Sequence, residues 1–402
     1  MRDLDIEKTA AGLKSQTPIV AAEWRAIRSL ALIYAARMLG IFLLLPVLSL
    51  YVQSLEPSVS ALLIGFSMGA YGLTQAIFQV PAGIWSDRYG RKRVIAIGLV
   101  LYAAGSLMGM GARSVWAVIS ARLIQGAGAI SGPVTALLAD LTRQAVRTRA
   151  MAVIGISIGA TFLLSLLVAP LLAAHIGVPG IFALMAALAL VSLWVLWRVV
   201  PDPELGPSTV RMPLKSAFLP RLLPFYSGIC MLNMVLVATF TVVPGLLRDG
   251  HHVAVADHWR WYLGVFALSL LPTVGLVWLA ERGWSRLAFG LSALSLAGAL
   301  ASLAYLGGQR VALVLSLTAF FAGFNFLEAR LPARLSQLAP LQVRGAALSV
   351  FATAQFLGSF MGGVGAGLLL HVGGAAAVLW TMALMSVAWS MVSGWQPAEA
   401  GW

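Results

Sequence analysis

Twelve apolar runs, each about the length that crosses a bilayer, divide this chain and leave it little choice of fold. They lie at 27–51, 60–83, 94–112, 115–138, 150–173, 178–199, 222–246, 260–280, 287–306, 311–335, 346–370 and 375–395. A membrane-crossing helix needs roughly 20 mostly apolar residues. Backbone groups in lipid must bond within their own segment, so each run is expected to be helical. Composition agrees: 60% of the 402 residues are hydrophobic and 10% are charged, where a soluble domain would hold about 25% charged. Pro46, Pro81, Pro133, Pro170, Pro244, Pro272 and Pro332 fall inside runs. They predict kinks rather than breaks, because neighbouring helices satisfy the freed carbonyls. The expected fold is an all-α membrane protein with twelve transmembrane helices.

The cations indicate how the chain threads. With the N-terminus inside, 20 of the 27 Lys and Arg fall on the inner side. Arg113, Arg248, Arg260 and Arg310 fall outside, and Arg37, Arg122 and Arg330 fall within runs. An excess of Lys and Arg marks cytoplasmic loops, so both termini are expected in the cytoplasm. That topology accounts for the net charge of +13 without a nucleic-acid partner. The first 22 residues hold Asp3, Asp5, Glu7, Lys8 and Lys14 and no apolar signal-peptide core. Cys230 is the single cysteine, so an internal disulfide and a CxxC metal pair are both excluded.

A polar stretch at 201–221, with Pro201, Pro203, Pro207, Pro213 and Pro220, follows the sixth run and reads as a linker. The expected organisation is a tail at 1–25, a six-helix bundle at 26–200, that linker, a second bundle at 222–395 and a short tail at 396–402. Two patterns recur at half-chain spacing. Phe42-x-x-x-Pro46 returns as Phe240-x-x-x-Pro244, and His175-Ile-Gly177 returns as His371-Val-Gly373. Their offsets of 198 and 196 residues point to internal duplication. Transporters are often built so, with the substrate site between the halves near the midplane.

Between the second and third runs lies Gly83-Ile-Trp-Ser-Asp87-Arg88-Tyr-Gly90-Arg91-Lys92-Arg93, a short connection dense in glycine and charge. The fourth run holds Arg122-x-x-Gln125-Gly126-x-Gly128. On these two motifs the chain resembles the major facilitator superfamily over all twelve runs. Arg37-Met-Leu-Gly-Ile-Phe-Leu-Leu-Leu-Pro46, Tyr71-Gly-Leu-Thr-Gln-Ala-Ile-Phe-Gln79 and Phe324-Asn-Phe-Leu-Glu328 make it similar to the YajR-like drug/proton antiporters. The resemblance implies two pseudo-symmetric six-helix bundles, with spans 1, 4, 7 and 10 lining a cavity. It also implies a monomer in the bacterial inner membrane that needs no cofactor and handles small molecules and protons. The chain departs from the pattern in span 5, where Gly155, Gly159 and Ala169-Pro170 keep half of the antiporter signature.

In the resembled family the loop between spans 2 and 3 latches onto an acid at the end of span 4. Here Gly83, Asp87, Arg88, Gly90, Arg91 and Lys92 would form one half of that latch and Asp140 the other. Charges that merely fix topology are the plainer alternative. Ionisable groups inside spans are costly in lipid and usually meet a partner or a cavity. Glu328 is the acid deepest in a run, at a depth similar to that of Arg37. Glu328 is expected to titrate a proton or pair with substrate while Arg37 tunes it; a static tie between spans 1 and 10 is the alternative. Arg122 takes its proton-coupling role from the family motif. Tyr71, Gln75, Asn233, Asn325 and Gln355 join Arg37 and Glu328 as candidate substrate contacts, with interhelical hydrogen bonding as the plain reading. Gly358, Gly362, Gly363 and Gly367 are expected to serve packing. His251, His252 and His258 are expected in a solvated loop and form no metal site.

No nucleotide loop, metal cluster or nucleophile–base set appears, so an enzyme is not expected. The expected function is alternating-access transport, with proton-coupled export of small hydrophobic compounds. Import or exchange of a specific metabolite, and a non-transporting membrane sensor, stand as alternatives.

Overall fold

The computed structural model describes residues 18–202, 217–340 and 343–394. Most of the expected linker at 201–221, the tail up to residue 17 and the tail at 396–402 lie outside the described residues.

The first apolar run forms α1 (Ala21–Leu44) and α2 (Leu48–Leu55), separated by a turn at 45–47. Pro46 therefore breaks this rod rather than kinking it. Proline supplies no N–H and crowds the preceding turn. The flanking amides of Leu45 and Val47 fall back to the carbonyls of Phe42 and Leu44, at 3.1 and 3.2 Å. α3 (Ala61–Tyr89) carries Pro81 without a break and runs six residues past the expected end at 83. α4 (Arg91–Met110) begins after a single residue. The stretch 83–93, read from sequence as a bent connection, is thus mostly helix. The whole reversal falls on Gly90, whose φ of 96° is readily open only to glycine.

The fourth run also divides, into α5 (Val115–Ala127) and α6 (Ser131–Asp140), at a break just before Pro133, which has no N–H to donate to the Ala129 carbonyl. α7 (Gln144–Arg198) contains a non-helical Gly177 with φ 69°. After a 3-10 turn at Pro220–Leu222 come α8 (Leu223–Gly245), a π turn at Leu246–Gly250, and α9 (His258–Leu279). A second π turn, Ala280–Trp284, holds Gly283 at φ 90° and leads into α10 (Ser285–Leu306). α11 (Arg310–Leu338) and α12 (Arg344–Gly394) complete the described chain, with α12 broken at Gly373 and Gly374. Both His-x-Gly patterns fall at helix breaks: Gly177 takes φ 69°, whereas Gly373 has φ −147° and the positive φ falls on Gly374, just beyond the pattern.

Among the described residues, eight helices are long and apolar enough to cross a membrane. Their outer surfaces fit lipid rather than water: Leu271 and Val372 are 77% and 83% exposed. A helix apolar on all sides belongs in a core or a membrane. Inside the bundle, α12 is held between α3 and α8 by close backbone approach. A Cβ on Gly363 would lie 2.5 Å from the Gly65 carbonyl oxygen and the Gly69 nitrogen, while Gly358 and Gly362 abut the carbonyls of Cys230 and Met234. These small residues serve packing, as their spacing suggests.

Candidate functional site: two buried polar clusters and an interfacial ion-pair group

The first cluster belongs to the first half. α3 presents Tyr71, Gln75 and Gln79 one turn apart on one face, and Gln75 is the hub. Its Oε1 accepts from Arg37 Nη2 at 2.6 Å and from the Tyr71 hydroxyl at 3.0 Å. Its Nε2 donates to Gln79 Oε1 at 2.9 Å, an oxygen that also accepts from Ser131 Oγ at 2.9 Å. Arg37 Nη2 donates as well to the Gly128 carbonyl, at 2.8 Å, in the break between α5 and α6. Arg122 Nη1 donates to Gln125 Oε1 at 3.0 Å, and Gln125 Nε2 donates to Ser106 Oγ at 2.8 Å. Tyr71 is close to both cations: the guanidinium carbons of Arg122 and Arg37 lie 4.9 and 5.9 Å from its ring centre. Arg37 also lies 5.8 Å from the Tyr102 ring. Both arginines are buried, at 3% and 4% exposure.

The second cluster belongs to the second half. Glu328 on α11 accepts from Gln355 Nε2 of α12 through Oε1, at 2.9 Å. Asn233 of α8 lies beside the carboxyl, but its Nδ2 donates to its own helix, to the Ile229 carbonyl at 3.2 Å. Glu328 Oε2 is buried without a hydrogen-bond partner. Asn325, one turn earlier, is half-buried. Aromatic rings bridge the two halves. Phe162 of α7 stacks edge-on to Phe42 at 5.1 Å and meets Phe324 of α11 at 5.9 Å, while Tyr71 meets Phe356 of α12 at 6.2 Å.

Arg37 and Glu328 form no ion pair; each is engaged within its own half. The alternative of a static tie between spans 1 and 10 is therefore not made, and Arg37 does not touch Glu328 directly. Equal depth along two helices does not fix which way their side chains turn.

Outside these clusters, Arg91 bridges two acids. Its Nη1 pairs with Asp87 Oδ1 and its Nε with Asp140 Oδ2 at 3.0 Å, while Nη1 also donates to Ser86 Oγ at 2.9 Å. Asp87, Arg91 and Asp140, which were expected to meet, are thus in contact. Arg88 and Gly90 are exposed, and Gly83 is half-buried. Buried Lys92 reaches Asp202 Oδ1 at 2.8 Å. Sequence reading missed Ser86, Asp202 and a further pair, Glu23 with Arg143. Arg143 donates through Nε and Nη2 to the two Glu23 oxygens, both at 2.9 Å, and through its backbone N–H at 3.0 Å. These bonds raise the Arg143 guanidinium further above its ordinary value. The one local signal was the position of Glu23 in the first turn of α1, where its Oε2 accepts the Val20 N–H at 3.0 Å.

Of the three loop histidines, His252 is exposed as expected and the other two depart from expectation. His251 and His258 are buried, and His251 Nε2 hydrogen-bonds the Gly307 carbonyl at 2.7 Å and stacks on Trp261. These two rings are packed rather than solvated, because ring and carbonyl satisfy each other away from water. Among the described residues no group of three or more His, Cys, Asp or Glu could hold a metal. A cleft of about 630 Å³ at the start of α1, lined by Trp24, Arg25, Arg28, Leu32, Val195 and Val199, includes none of the candidate site residues.

Comparison with known proteins agrees with this architecture. The family model of the Major Facilitator Superfamily matches residues 30–363. The inner membrane transport protein YajR of Escherichia coli (strain K12) is 36% identical over 378 residues, which cover 92% of this chain and 83% of that protein. Multidrug resistance protein 1 of Bacillus subtilis (strain 168) is 32% identical over 173 residues, covering 42% and 43% of the two chains. The crystal structure of a D-xylose-proton symporter superposes with a TM-score of 0.76 at 17% identity, covering 94% and 99%. The chain belongs to the Major Facilitator Superfamily. It is a multi-pass transporter of the inner membrane and not an enzyme.

Proposed function

We propose that the protein is an alternating-access exporter that moves small hydrophobic compounds out of the cell in exchange for protons. The observation that carries this reading is Glu328, a carboxyl inside a membrane-crossing helix with one oxygen held by Gln355 and the other without a partner. A carboxyl so placed, with no cation beside it, can take up and release a proton as its surroundings change. The bridging layer of Phe42, Phe162, Phe324 and Phe356 suits apolar cargo. The partial similarity to a multidrug resistance protein supports the same substrate class.

The chain crosses the membrane twelve times on this reading. The longest helices divide at Gly177, Gly283 and Gly373–Gly374, and α5 with α6 makes one broken crossing. The cation bias puts both ends in the cytoplasm, with bundles at 26–200 and 222–395 working as a monomer. Asp87, Arg91 and Asp140 form the cytoplasmic latch, assisted by Gly83, Arg88, Gly90 and Lys92. Arg122 and Arg37 adjust the proton step from the first half, and Tyr71, Gln75, Asn233, Asn325 and Gln355 line the substrate path.

The test is transport in proteoliposomes with an imposed pH gradient and a panel of lipophilic drugs. Substrate-triggered proton release that disappears in Glu328→Gln is expected. A Glu328→Gln protein that transports normally and keeps its pH dependence refutes the proton role. Silence across the panel together with uptake of a metabolite shows a metabolite carrier instead.

A further inference from the structure

We infer that the cargo carries an anionic group, a carboxylate or one of similar shape, and that the guanidiniums of Arg37 and Arg122 receive it. This rests on the transport reading above and names the chemistry of the substrate within it.

The charges of the membrane interior do not balance. Arg37 and Arg122 lie near one tyrosine ring, yet every hydrogen-bond acceptor they meet is neutral: the Gln75 and Gln125 amides and the Gly128 carbonyl. Among the described residues, the acids of the first half are engaged elsewhere or lie at its surface. Glu23 holds Arg143, Asp87 and Asp140 hold Arg91, Asp202 holds Lys92, and Glu56 is exposed. In the second half, Glu328 is turned to Gln355. Two guanidiniums thus sit in a low-dielectric interior without a counter-charge among the described residues, an arrangement that desolvation penalises heavily.

Their donors are also unfilled. Arg37 Nε, Arg37 Nη1 and Arg122 Nε are all buried without an acceptor. A guanidinium offers five N–H groups in a planar fork that matches a carboxylate. The faces of Tyr71 and Tyr102 relieve part of the charge but accept no conventional hydrogen bond from these nitrogens. Position completes the case. The ring near both cations is the one that meets Phe356 across the halves, and Phe356 follows Gln355, the partner of Glu328, in α12. An amphiphilic anion could therefore place its charged head at Arg37 and Arg122 and its apolar body against Phe42, Phe162 and Phe324.

Three small probes sharing one ring test this: benzoate, benzyl alcohol and benzylamine, added to the purified full-length protein in detergent and read by the shift in thermal midpoint. Benzoate is expected to stabilise at concentrations where the neutral and cationic probes do not. Arg37→Gln or Arg122→Gln should weaken its apparent affinity tenfold or more, while Arg113→Gln, an exposed cation, leaves it unchanged. If the Gln variants fail to fold, Arg37→Lys keeps the charge but removes the fork, and it should still weaken benzoate severalfold. A stronger response to benzylamine, lost in Glu328→Gln, overturns the inference. So does an equal response to all three probes, no response to any, or benzoate binding that ignores the arginine variants. Binding here needs no pH gradient, so proton coupling can fail while the anion site stands, and the reverse.

Discussion

The two ends of the bundle are held by opposite means. At the end carrying Tyr89 and Asp140, charge holds the helices together, through Arg91 with Asp87 and Asp140, Lys92 with Asp202, and Arg143 with Glu23. Every one of these pairs lies within the first half. At the end carrying Ala61 and Gly367, backbone meets backbone between the halves: Gly65 and Gly69 against Gly363, and Ala61 against Gly367. Phe66 with Phe360 at 6.1 Å and Arg248 with Gln53 at 3.1 Å add to that seam. An ion pair between long side chains can be remade as helices tilt. A glycine contact at van der Waals range is either closed or gone. The comparison supports a molecule whose glycine-sealed end must part as a unit, while its charged end keeps the first half rigid.

Gly363→Leu should disturb this arrangement most. Its Cβ alone would press on two backbone atoms at 2.5 Å, which cannot yield unless α3 and α12 separate. Overpacking of this kind costs about 1–3 kcal/mol, expected as a lower thermal midpoint in detergent with transport impaired. A variant as stable and active as the parent would show that glycine contact does not make the seal. Glu23→Ala comes next, at about 2 kcal/mol, because one carboxylate with 6% side-chain exposure accepts four bonds. Its effect should vary little with salt. Arg91→Ala should cost about 1 kcal/mol and Lys92→Ala under about 0.5 kcal/mol, since Asp140 and Asp202 are 41% and 86% exposed. Both effects should shrink further in high salt. A loss in Arg91→Ala larger than that in Gly363→Leu would reverse the ranking of the two ends.

Sequence reading reached some levels of this structure and not others, for identifiable reasons. The Asp87–Arg91–Asp140 group was legible because a family motif fixes both the residue types and their spacing. The Glu23–Arg143 pair was not, because its partners lie 120 residues apart and neither sits in a motif. The breaks at 45–47 and 128–130 had Pro46 and Pro133 to announce them, though not their severity. Hydropathy could not foresee that His251 would be buried, because a loop of mixed polarity says nothing about the carbonyl that Gly307 brings to it.

What the sequence determined alone was the apolar segmentation, the recurrence of two patterns at half-chain spacing and the presence of Asp87, Arg91 and Asp140 at helix ends. Each of these is a property of a local window or of a fixed spacing, and the cost of burying polar groups in lipid acts on each window separately. Only the tertiary structure decided that Arg37 turns to Gln75 and Gly128 while Glu328 turns to Gln355. Side-chain partnership depends on how each helix is rotated about its axis, and packing against every neighbour at once sets that rotation.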